Sequence, residues 1–216
     1  MPPLLAGLTI LMIGDSHLTF KNTLLASMPE AFVAQGAKVV TYGLCSSKPE
    51  DWVDEKPMNA CGYTKRIGTE HITLSMNKDD APPNIQSLMQ QWHPDVVIVV
   101  FGDAMAGYSQ PQMPSDWIKD QVHALVDNIG TTKCIWVGPT WGRYNPRYGK
   151  TDVRTVKLAG FLEKETQPCH YIDSTKILNQ NIINTEDGLH LTTEDYKKWS
   201  SALVRVINPL LAADKN

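Results

Sequence analysis

Residues 8–14 read LTILMIG, an almost unbroken apolar run, and comparable runs recur at 38–42, 96–101 and 134–138, with a shorter one at 170–173. Continuous apolar stretches of this length, rich in β-branched residues, predict strands covered on both faces. Between them the apolar positions fall at helical spacing. Helices are predicted over 21–35, ended by Gly36; over 82–92, with Ile85, Leu88, Met89 and Trp92 on one face; over 115–129, with Ile118, Val122, Leu125 and Ile129; and over 152–166. A last helix begins at Thr192 or Thr193, where hydroxyls and acids meet free N–H groups, and runs to about Pro209. Strands alternating with helices predict an α/β domain, a parallel sheet with helices on both sides. The pattern breaks only over about 43–81, a polar, Gly- and Pro-containing stretch that reads as an irregular insertion, with weak alternation over 70–76 suggesting a short extra strand.

With 216 residues the chain suits a single domain over 1–216 with a sizeable core. Its net charge of −3 and its scattered 20 Lys and Arg leave no basic stripe, so nucleic acid is not an expected partner. The apolar run 4–13 lacks a basic flank and is too short to span a bilayer, so it predicts a buried strand and no transmembrane segment.

None of the four cysteines forms a C-x-x-C pair, and Cys169-His170 has no partners at zinc-site spacing, so no metal is expected. The order of elements favours Cys45 with Cys61, stapling the insertion, and Cys134 with Cys169, which stand at the amino ends of successive strands. The first staple corresponds to about 3 kcal/mol of unfolded-state entropy. Both imply an oxidising compartment, periplasmic or secreted; reduced thiols would instead fit the cytoplasm.

Ligands of a doubly wound sheet bind beyond the carboxyl ends of its strands. Five polar clusters fall there: Gly14-Asp15-Ser16-His17, residues 43–47, Gly102-Asp103-Ala104, residues 139–144, and Asp187-Gly188-Leu189-His190 before the last helix. A serine in a tight strand-to-helix turn exposes its hydroxyl, and its N–H can face an oxyanion. His190 is the expected general base, because Asp187, three residues earlier across Gly188, can reach its Nδ1 and stabilise the imidazolium. His17 reads as a packing or capping residue.

Gly14-Asp15-Ser16 after the first strand, together with Asp-Gly-Leu-His-Leu-Thr leading into the last helix, resembles the first and last sequence blocks of the SGNH/GDSL hydrolases. The resemblance implies a flavodoxin-like three-layer α/β/α sandwich with a five-stranded parallel sheet in the order 2-1-3-4-5. It also implies a triad of Ser16, His190 and Asp187, an ester substrate, and neither metal nor organic cofactor. The family's second block supplies an oxyanion-hole N–H, for which Gly43 and Ser46 both qualify alongside that of Ser16. Its third block, normally Gly-x-Asn-Asp, here reads Gly102-Asp103-Ala104-Met105, so Ala104 replaces the usual donor asparagine. Loss of one such donor typically removes about 3–4 kcal/mol of transition-state stabilisation. Asp15, Asp103 and Ala104 would line the substrate site. Trp141, Arg143 and Tyr144 are candidates for stacking on or pairing with a sugar, with Trp52 a weaker one.

These features predict an esterase for O-acetyl groups on carbohydrate or cell-envelope polysaccharide, acting through an acyl-enzyme on Ser16. An O-acetyltransferase using the same triad, a lipase or thioesterase, and a carbohydrate-binding module with weak or no catalysis are the alternatives.

Overall fold

The computed structural model describes residues 3–54, 61–69, 71–75 and 83–213. Seven strands form one sheet: β1 (Thr9–Gly14), β2 (Lys38–Leu44), β3 (Tyr63–Ile67), β4 (His71–Ser75), β5 (Val96–Val100), β6 (Lys133–Val137) and β7 (His170–Ile172), in the order β4-β3-β2-β1-β5-β6-β7. The five strands β2-β1-β5-β6-β7 are mutually parallel, which is the predicted 2-1-3-4-5 order. Strands β3 and β4 extend the β2 edge in antiparallel fashion.

Helices α1 (Leu24–Val33) and α6 (Thr193–Ala212) cover one face, and α2 (Ile85–Trp92), α3 (Ser115–Ile129) and α4 (Asp152–Glu165) the other; a single turn, α5 (Ser174–Ile177), follows β7. Period-two alternation divides the core accordingly. Ile10, Met12, Val96, Ile98 and Val100 pack towards α1 and α6, while Leu11, Ile13, Val97 and Val99 pack towards α3.

The 43–81 stretch is therefore more regular than its composition suggests. Strand β4 falls within the weak alternation noted at 70–76, but β3 was hidden, because its buried positions are Thr64 and Arg66 while Tyr63 and Ile67 pack only partly buried on its other face. Both are satisfied by backbone carbonyls. Thr64 donates to Thr19 O, and the buried Arg66 guanidinium donates to the carbonyls of Leu25 and Ala26 and pairs with Glu30 at 2.8 Å. The reason lies in α1, whose Pro29 has no N–H to give Leu25 O four residues earlier, so Arg66 takes up a carbonyl the helix leaves orphaned. Residues 55–60, 70 and 76–81 of the stretch, and Pro82 at the predicted start of the second helix, lie outside the described residues.

Cys45–Cys61 and Cys134–Cys169 are bonded, with Cα–Cα separations of 5.1 and 4.5 Å. Among the described residues no helix is long and apolar enough to cross a membrane.

Candidate active site

Strand β1 ends at Gly14, and a one-turn helix over Ser16–Leu18 follows at once, with the Asp15 carboxylate accepting from His17 N at 3.0 Å. This turn lies directly over the end of β2. A Cβ on Gly43 would come within 2.1 Å of Leu18 O, so Gly43 permits a close approach of backbones. Gly43 sits inside the sheet, in register with Gly14 on one side and Thr64 on the other, and does not line the cavity described below; Ser46 does.

The other half of the site precedes α6. Thr185 and Leu191 form an isolated antiparallel bridge, and Glu186 N donates to His190 O at 2.8 Å, closing a tight loop. Gly188 turns that loop at φ +92°, where a Cβ would also collide with Asn145 at 2.5 Å. Within it, Asp187 Oδ1 accepts from the N–H groups of Leu189 and His190 at 2.9 and 2.7 Å, and Oδ2 accepts from His190 Nδ1 at 2.8 Å. Because Nδ1 faces a carboxylate it carries the ring proton, leaving Nε2 as an acceptor 2.7 Å from Ser16 Oγ. Partial burial pushes the Asp187 carboxyl up, but the His190 ring and the two backbone N–H groups outweigh it and hold the pKa down at about 2.

Ser16 and His190 open onto a cavity of about 410 Å³ whose walls include Asp15, Ser46, Ala104, Ser109, Arg147, Tyr148 and Leu189, with the Cys45–Cys61 disulfide on one side. The wall residues are mostly polar.

A second, buried network runs inward from the cavity wall, which Asp103 and Tyr108 also line. Asp103 accepts from Lys150 Nζ at 2.8 Å, from Tyr108 OH at 2.6 Å and from His17 Nε2 at 3.1 Å, while His17 Nδ1 meets Tyr196 OH at 2.7 Å. Burial raises the Asp103 carboxyl, but the Lys150 ammonium and the His17 hydrogen bond hold it well below the usual carboxylate range. With Asp103 ionised, His17 donates from Nε2 and accepts from Tyr196 at Nδ1. His17, expected to pack or cap, therefore braces the turn bearing Ser16 against the third-block turn and α6. Its ring centroid stands 5.5 Å from that of His190.

Other predicted contacts fall elsewhere. Trp141 Nε1 donates to Leu178 O at 3.0 Å, and the Arg143 guanidinium donates to the carbonyls of Gln180 and Ile183 at 3.0 and 2.9 Å. Neither residue lines the cavity, nor does Tyr144, which is 69% exposed. Trp52 is buried and donates to Ser47 Oγ at 3.1 Å beneath the second-block turn. From the loop after β6 it is instead Tyr148 and Arg147 that line the cavity. Tyr148 OH donates to Asp187 Oδ2 at 3.3 Å, and the Arg147 guanidinium lies over the Tyr148 ring at 5.2 Å. Lys150, Tyr108, Tyr148 and Tyr196 had no signal in the sequence, because their partners are distant in the chain and a lone Lys or Tyr reads as surface. Among the described residues no cluster of three or more His, Cys, Asp or Glu side chains could hold a metal ion.

No family model matches the chain. Protein BcsX of Komagataeibacter xylinus is 52% identical over 211 residues, which span 98% of this chain and 80% of that protein. The chain belongs to the BcsX family. Among solved structures, this BcsX-family chain resembles the lipase/acylhydrolase from Enterococcus faecalis (18% identity, 93% of this chain and 95% of that one, TM-score 0.63). It also resembles the acetylxylan esterase Axe2 from Geobacillus stearothermophilus (14%, 93% and 94%, TM-score 0.55) and a peptidoglycan O-acetylesterase (12%, 96% and 92%, TM-score 0.60). At these identities the likeness is one of fold, and the fold of this BcsX-family chain is that of the SGNH/GDSL-type hydrolases.

Proposed function

We propose that the chain is a serine esterase that removes short acyl groups, foremost acetyl, from hydroxyls of a carbohydrate or cell-envelope polysaccharide. The observation that carries this reading is the continuous path from Asp187 through His190 to Ser16, at 2.8 and 2.7 Å. In the reaction Ser16 Oγ attacks the ester carbonyl carbon as its proton passes to His190 Nε2, forming a C–O bond and an oxyanion. Collapse expels the sugar hydroxyl, which takes the proton from Nε2. Water then adds to the acyl-enzyme by the same route in reverse and releases acetate and free Ser16. Asp187, held ionised, keeps the imidazole in the reactive tautomer and compensates its transient charge.

The choice of acyl group and substrate class rests on the cavity and on the structural relatives. Leu189 and Ala104 are the aliphatic side chains in a wall otherwise made of acids, hydroxyls, an arginine, tyrosines and the disulfide, which suits a small acyl group on a polar alcohol better than a long alkyl chain. Two proteins of the same fold are an acetylxylan esterase and a peptidoglycan O-acetylesterase. The two disulfides support an oxidising, extracytoplasmic setting.

Incubation with chromogenic acetyl and octanoyl esters, with a fluorophosphonate probe in parallel, tests the proposal. Acetyl turnover and labelling, both absent in Ser16→Ala, are expected. A steep octanoyl preference would point to a lipase or thioesterase, acetylated acceptor sugar to a transferase, and absence of both turnover and labelling to a non-catalytic module.

A further inference from the structure

Two non-glycine residues among those described have φ in the left-handed region, His93 at +44° and Ser46 at +68°. His93 has a local reason, since it ends α2 with its N–H on Met89 O. Ser46 stands third in a tight turn closed by Ser47 N on Leu44 O, a place that demands positive φ and ordinarily takes glycine. Its turn is fixed from both sides by other groups: Cys45 N donates to Gly62 O and Cys45 is bonded to Cys61, while Ser47 N donates to Leu44 O and Ser47 Oγ receives the Trp52 indole. Glycine would fill this position with less backbone strain, so a side chain held there invites a functional explanation.

Ser46 lines the same cavity as Ser16 and His190. Gly14 of β1 pairs in register with Gly43 of β2, so Ser16, two residues beyond the first, and Ser46, three beyond the second, emerge side by side at neighbouring strand ends. Strands so paired are about 4.8 Å apart.

Among the described residues, Ser46 Oγ contacts only the disulfide sulfurs, at 3.3 Å to Cys61 and 4.0 Å to Cys45. Sulfur is a weak acceptor, and an alkoxide oxygen would displace it readily. The other hydroxyls of the cavity beside Ser16 are committed or remote. Tyr108 is held by Asp103, Tyr148 is turned to Asp187, and Ser109 lies beyond the third-block turn, where Ala104 presents only a methyl group.

We infer that the Ser46 side-chain hydroxyl is a catalytic hydrogen-bond donor to the oxyanion, acting together with backbone N–H groups. This inference rests on the serine esterase reading above. In the resting protein the hydroxyl is parked on the disulfide; as the carbonyl oxygen gains charge, the O–H turns to it, with no proton transferred.

Two variants test this together: Ser46→Gly keeps the backbone N–H, relaxes the left-handed φ and removes the CH2OH group, while Ser46→Ala removes the hydroxyl alone without relaxing the backbone. Both variants are expected to lose 10- to 100-fold in kcat on a chromogenic acetyl ester, towards the range found for a single lost oxyanion donor. KM should stay within about twofold, and phosphonylation of Ser16 should slow by a factor like that in kcat. Melting temperature separates this from a structural role, because Ser46→Gly is expected to melt no lower than the parent. A Ser46→Gly variant with parental kcat and parental labelling rate overturns the inference and leaves the esterase reading standing. A parent chain that neither turns over nor labels overturns both.

Discussion

The Asp103–Lys150 pair puts two charges at 1% side-chain exposure at and behind the cavity wall, with 2.8 Å between them. Removing one partner from such a pair leaves the other charge buried and unpaired, a loss of about 3–5 kcal/mol. Asp103→Asn should show that loss in urea unfolding, and Asp103→Asn with Lys150→Met should lose clearly less than the sum of the two single changes. Asp187 behaves differently because it is partly exposed. Its folded pKa, about 2, lies below the ordinary value of 3.8, so its contribution to stability is complete above 3.8 and disappears as pH falls from there towards 2. It thus stays ionised well below neutral pH, so loss of activity on moderate acidification is not expected from protonation of Asp187. Asp187→Asn should lower kcat by about 10³–10⁴, because an amide can stabilise the wrong tautomer, and should also lower the melting temperature near neutral pH, where the contribution of the ionised carboxylate is complete.

At the scale of elements, three loops converge beyond the carboxyl ends of the sheet, and each is tied down by contacts outside the reacting groups. The loop after β6 reaches the Asp187–His190 loop through Arg143, whose N–H donates to Gly188 O at 2.9 Å and whose guanidinium holds two carbonyls before it. Arg143→Ala should cost about 1–2 kcal/mol of stability and lower kcat severalfold with little change in KM, since what loosens is the placement of His190 and not the cavity wall. The two disulfides should separate function from stability in the same way. Cys45–Cys61 borders the cavity beside Ser46, so Cys45→Ser with Cys61→Ser is expected to reduce kcat severalfold. Cys134–Cys169 joins the β6 start to the residue before β7, at the opposite end of those strands. Its double alanine variant should lose up to about 4 kcal/mol in stability, from the entropy of a loop spanning 35 residues, and keep its kcat wherever it remains folded.

Over the whole molecule, the two bridges account for all four cysteines, so a thiol titration should find none free in the native oxidised protein and four after denaturation with reductant. The two helical layers and the five parallel strands were legible from sequence because each depends on local periodicity: Ile10 and Met12 against Leu11 and Ile13 alternate whatever their partners are. The β3 strand was not legible, because Arg66 and Thr64 reverse the expected polarity of inward positions and are satisfied by carbonyls of residues some 40 positions away. The cluster at 141–144 misled for a related reason, since aromatic and cationic side chains near a site look the same in sequence whether they face a ligand or close a loop.

The amino-acid sequence alone determined the order of strands and helices, the polar clusters at the strand ends, and the residue types of Ser16, Asp187 and His190, because periodicity and turn chemistry act between near neighbours. Only the tertiary structure decided that Arg147 and Tyr148 face the cavity while Trp141 and Arg143 do not, that Lys150 lies behind its wall, and that Ser46 and not Gly43 borders it. Those outcomes depend on which buried donors and acceptors are brought within about 3 Å of each other when separate loops close. That is a property of the assembled sheet and not of any one segment.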